Sequence, residues 1–127
     1  MLKIDEFVAP DGTLAQTLVS VDSGQVTVHQ RPGESASLPL AAIAVVMRRY
    51  GRPFDSAGPV AGELALPDGS RLWVFRHHAA VDATGRDYVA WQSATATEPP
   101  VAAIAITIAG AFRHLAQLGS AAPTSPT

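Results

Sequence analysis

The chain has 127 residues, 47% of them hydrophobic and 16% charged, with a net charge of −2 and no cysteine. That length supports one domain with its own core; the composition excludes a disordered chain, and the slightly acidic balance lacks the basic footprint of nucleic-acid binding. Without cysteine there is neither a disulfide framework nor a thiolate metal or redox site.

Residues 1–12, MLKIDEFVAPDG, form a short lead-in, a frayed strand or a stub of helix, closed by the turn signal APDG. They carry neither the basic start nor the apolar run of a secretory leader, so a cytoplasmic location is expected. From Thr13 two β-rich runs, about 13–21 and 25–30, are joined by DSG and predict a hairpin. RPGESAS then reads as a loop. In LPLAAIAVVMRRYG the period changes from two to about 3.6. Leu40, Ile43, Met47 and Tyr50 share a helical stripe, Pro39 suits the first turn, and Gly51 suits a left-handed terminating residue. Ala41, Ala44, Val45 and Val46 leave much of the rest of this helix apolar, which implies a second buried contact. Arg48, Arg49 and Arg52 complement the negative end of its dipole.

After the linker RPFDSAGP, three further strands are predicted at 60–66, 71–79 and 86–92, a meander whose first reversal is the Asp-Gly turn of LPDGSRL. Alternation along the middle strand puts Trp73, Phe75 and His77 on one face and Leu72, Val74, Arg76 and His78 on the other. The last element reads as a helix over about 99–118, capped by Thr97 or Glu98, with a stripe of Val101, Ile104, Ile108, Ala111, Leu115 and Leu118 widened by Ile106 and Phe112. Its apolar run is too short to span a bilayer, which takes about 20 residues. The tail from 120 has a disordered composition. The expected fold is therefore α+β: one five-stranded antiparallel sheet packed by two helices in the order ββαβββα, over residues 13–119.

FRHHAAVDATGRDYVAW, residues 75–91, gathers the densest set of polar functional groups. His77 and His78 are strand neighbours facing opposite ways and do not readily share a metal, and no HExxH or comparable spacing occurs, so no metal site or cofactor is expected. A His–Asp–Ser assembly can be drawn from His78 and Asp82 with Ser20 or Ser93, but no GxSxG elbow supports it. Asp82 to Asp87 suit the hydrogen bonding of a turn. No GxxxxGK[ST] phosphate loop is present.

The hairpin TLVSVDSGQVTVH, the Ala-rich helix LAAIAVVMRRYG and the meander leading into a long C-terminal helix resemble the Roadblock/LC7 family over residues 13–118. With no room at its short start for that family's first helix, the chain is similar to regulators of bacterial motility and polarity of the MglB and MglC type, nearer the MglC type of the two. The resemblance implies a non-enzymatic homodimer with the middle helices side by side and the third strands paired across the two-fold axis. Leu40, Ile43, Val46, Met47 and Tyr50 on the helix, with Val60, Gly62 and Leu64 on the strand, would then form the interface. It also implies a scaffold for small Ras-like GTPase systems, binding another Roadblock-type regulator or a GTPase pathway protein. Arg76, His78 and Arg86 are the candidate partner contacts at the far end of the meander. The alternative is a ligand-binding or hydrolytic protein centred on the 76–87 hairpin.

Overall fold

The computed structural model describes residues 1–54, 59–76, 86–95 and 97–120. It contains nine strands and two helices among these residues: β1 (Leu2–Val8), β2 (Leu14–Asp22), β3 (Gln25–Arg31), β4 (Ser35–Pro39), α1 (Ala41–Tyr50), β5 (Arg52–Pro53), β6 (Val60–Ala65), β7 (Arg71–Arg76), β8 (Asp87–Gln92), β9 (Val101–Ile104) and α2 (Ala105–Ser120). The fold is α+β as expected, but the strands divide into two antiparallel sheets, β1-β2-β3-β4 and β5-β9-β8-β7-β6, instead of one sheet of five.

Sheet β1-β2-β3-β4 is a plain meander. Its central reversal is a two-residue turn in which Ser23 and Gly24 both take positive φ, 53° and 77°, matching the twist of the flanking strands. The 1–12 lead-in belongs to this sheet, because β1 pairs with β2 along its length and buries Leu2 and Ile4. A register shift between Lys3 and Asp5 turns both Ile4 and Asp5 away from water. The expected loop at 31–37 is half strand: β4 pairs with β3 from His29↔Ser35 to Gln25↔Pro39. Its small polar residues conceal the alternation, and only Leu38 is buried. Pro39 consequently ends a strand and does not open the helix.

The second sheet confirms the meander and the face assignment on β7. Leu72 and Val74 join the main core, whereas Trp73 and Phe75 cover the opposite face with Ala90, Ala102 and Phe54. There the Phe54 and Phe75 rings stack at 5.5 Å and Phe75 stacks on Tyr88 at 5.7 Å. In the β6–β7 turn Asp68 Oδ1 accepts from the N–H and hydroxyl of Ser70, which hold its carboxyl below the usual carboxylate range, while Gly69 supplies φ 90°.

The C-terminal element is not one helix. Val101–Ile104 form β9, an interior strand between β5 and β8, and α2 follows at Ala105 without a loop. Gly51, expected in a left-handed conformation, is extended at φ −77°. Its smallness serves another purpose: a Cβ there would lie 2.5 Å from the Met47 carbonyl oxygen and 2.8 Å from Val101, so glycine is what lets α1 end against β9.

The main core lies between the two sheets and the helices. Val19, Val26, Val28 and Leu38 of the first sheet meet Ile43, Val46 and Met47 of α1, Leu72, Val74 and Val89 of the second sheet, and Ile108 and Phe112 of α2. Arg113 fastens α2 to the first sheet: its Nη1 donates to Thr17 Oγ1 at 2.7 Å and lies 3.7 Å from Asp5 Oδ2.

Candidate functional site

The residues expected to pair two copies separate into two groups. Ile43, Val46 and Met47 are buried, and Leu40 packs against the core half-covered. Much of the apolar surface of α1 is thus covered within the chain, by sheets on one flank and α2 on the other, and these three side chains are not available to a partner, whereas Val45 is left in water. Tyr50 and Val60 remain exposed, while Gly62 and Leu64 are half-buried on β6, an edge strand of its sheet. Gly62 sits where a Cβ would press on Leu2.

The accessible part of the helix pair is a shallow groove of about 240 Å³. Val45, Arg49 and Tyr50, with the edge of buried Val46, line it from α1, and Thr107, Gly110, Ala111, His114 and Leu115 from α2. Val45, off the expected stripe, is 62% exposed. The Arg49 guanidinium lies 5.6 Å from the centre of the Tyr50 ring, which keeps one rim of the groove cationic.

At the other end of α2 a cavity of about 560 Å³ is walled by Lys3, Ile4, Asp5 and Glu6 of β1, by Arg76, Arg86 and Asp87, and by Ile104–Ile106. Two of the expected partner contacts, Arg76 and Arg86, therefore meet here; His78 lies outside the described residues, as do His77 and Asp82. Most charges of the wall are matched. Lys3 pairs with Glu6 at 3.2 Å and Arg76 with Asp87 at 3.4 Å. Hydrogen bonds from Gln16 and then Lys3 hold the Glu6 carboxyl below its ordinary range. Arg86 has no acidic partner among the described residues.

A third group was not anticipated as a unit. On the outward face of the first sheet, His29 Nε2 is 2.9 Å from Ser20 Oγ, and His29 Nδ1 is 2.9 Å from Ser35 Oγ. Register explains it. Ser20 stands opposite Thr27, one step diagonal from His29, and His29 stands opposite Ser35. The sequence already placed Thr27 and His29 on one face, so tracing the tight turn would have brought Ser20 alongside; Ser35 was hidden in the presumed loop. Ser93, the other serine considered, is buried, and its Oγ accepts from the Thr95 N–H.

No cluster of three or more metal-ligating side chains occurs among the described residues, and no described helix is long and apolar enough to cross a membrane. Compared with family models, with curated proteins and with solved structures, the chain matches none.

Proposed function

We propose that this chain is a non-enzymatic interaction module that pairs with a second copy of itself through the groove between α1 and α2. The observation that carries the reading is the groove's composition. Val45 and Tyr50 leave apolar surface in water beside the small residues Gly110 and Ala111, which let a partner helix approach closely. The interface expected on α1 is therefore rotated around the helix, from the Ile43 and Met47 side to the Val45 and Tyr50 side.

A wider role, scaffolding a cytoplasmic small-GTPase system by binding another regulator, rests on the Roadblock/LC7 resemblance. What supports it is the run of hairpin, helix, three-strand meander and C-terminal helix; the separate four-stranded sheet departs from the single sheet expected of that resemblance. Light scattering over a micromolar concentration series tests the module itself. A dimer is expected, weakened roughly thirtyfold or more by Val45→Asp, while stability changes by no more than about 0.5 kcal/mol because the side chain is already in water. A monomer at every concentration would sink the reading.

A second reading, small-ligand binding beside the 76–87 hairpin, is favoured by the 560 Å³ cavity and its Arg86, which has no acidic partner among the described residues. It predicts that a dicarboxylate or phosphate ester raises the melting temperature and that Arg86→Ala removes the effect. An unchanged melting curve at millimolar ligand rules this reading out.

A further inference from the structure

We infer that Ser20 is an acylation site, a serine activated by His29 that accepts an acyl group from an activated ester. The geometry is that of a nucleophile, a base and a residue orienting the base. Neutral imidazole accepts at one ring nitrogen and donates at the other. With its proton on Nδ1, His29 donates to Ser35 Oγ and leaves Nε2 as the acceptor of the Ser20 hydroxyl, both at 2.9 Å. Ser35 touches no substrate and acts as a positioning residue. Ser20 and His29 are half-buried and Ser35 is exposed, so the face is open to a small electrophile while the ring is held between two hydroxyls.

The acyl donor follows from what this face lacks. β2 and β3 lie inside the sheet, Ser20 opposite Thr27 and His29 between Leu18 and Ser35, and their backbone N–H groups lie in the plane of the sheet and not above the face that carries Ser20. The paired backbone therefore supplies no ready oxyanion hole, and an unactivated amide or alkyl ester would find little help. The donor class is an aryl ester or thioester, whose leaving group carries off the negative charge. Ser20 Oγ bonds to the acyl carbon as its proton passes to His29 Nε2. The bond from carbon to the leaving oxygen or sulfur then breaks, its electron pair leaves with the phenolate or thiolate, and the imidazolium returns its proton to water. The same poverty of oxyanion donors slows hydrolysis of the product, so the site is modified stoichiometrically and does not turn over.

The test uses p-nitrophenyl acetate on the whole chain. Release of p-nitrophenolate is followed with time, the acetyl group is located by peptide mass mapping, and melting curves establish that each variant is folded. One acetyl group per chain is expected on Ser20, and none there in Ser20→Ala. His29→Gln should slow the labelling of Ser20 about 100-fold. Ser35→Ala should slow it about tenfold, as expected for loss of one hydrogen bond to a ring that becomes charged, and Ser35→Thr should restore it. A purely structural Ser35 would leave the rate unmoved at unchanged melting temperature. Acetyl found on Lys3 or His29 instead, labelling of Ser20 as fast in His29→Gln as in the parent, or labelling no faster than that of an unstructured peptide carrying Ser20 would each overturn the assignment.

Discussion

Met47→Asp is expected to abolish folding. Met47 is 0% exposed, packed in the core shared by α1 and the two sheets. The substitution removes that packing and puts an uncompensated carboxylate in its place, at a combined cost above about 5 kcal/mol. That approaches the whole stability of a small domain, about 5–15 kcal/mol. Far-UV circular dichroism and urea titration should find no cooperative transition. The contrast with Val45→Asp, two residues away on the same helix, separates two accounts of α1. If Met47 faced a second copy, both variants would yield folded monomers. Since Met47 faces the chain's own core, only Val45→Asp should. A folded, monomeric Met47→Asp protein would contradict the burial described above.

Phe112→Ala carries the second-largest expected loss, about 3–5 kcal/mol. The ring is fully buried on α2 in the main core with residues of both sheets, and nothing of comparable size is free to fill the space. A downward shift of the urea midpoint with an unchanged slope is the expected result. A loss below about 1 kcal/mol would mean that the two sheets close over the gap, which the dense packing of protein interiors opposes.

Phe112 also illustrates where the sequence was legible and where it was not. The expected stripe on the last helix ran through Val101, Ile104 and Leu118 and left Phe112 at its margin, yet Phe112 is buried and Leu118 is exposed. Within α2 the stripe holds at Ile108, Ala111 and Leu115, but its first two members are strand residues. β9 lies between β5 and β8 with its faces shared between the two cores, so Val101 and Ala103 pack into one and Ala102 into the other. Such a strand reads as an unbroken apolar run, and periodicity cannot tell it from a buried helix. Where the turn chemistry is sharp or the period plain, sequence and structure agree: the Ser23–Gly24 hairpin, the Asp68–Gly69 turn, the body of α1 and the opposed faces of β7. Two sheets in place of one escaped because pairing partners are chosen by contacts remote along the chain, and the short polar β4 carries no alternation strong enough to announce itself. For the site, Arg76 and Arg86 do converge on one cavity, whereas Ile43, Val46 and Met47 serve the interior. An apolar helix surface does not reveal whether the chain itself or a neighbour will cover it.

The direct passage from Ile104 to Ala105 makes β9 and α2 one continuous segment with no loop residue between them. One end is gripped by the second sheet through backbone hydrogen bonds, and Arg113 clamps the shaft to the first. Ile104–Ile106 form part of the large cavity's wall, and the stretch from Thr107 to Leu115 forms one bank of the groove. The two recesses are therefore walled by successive stretches of one segment, so a ligand or partner that shifts the first turn of α2 is expected to be felt at the groove's bank as well.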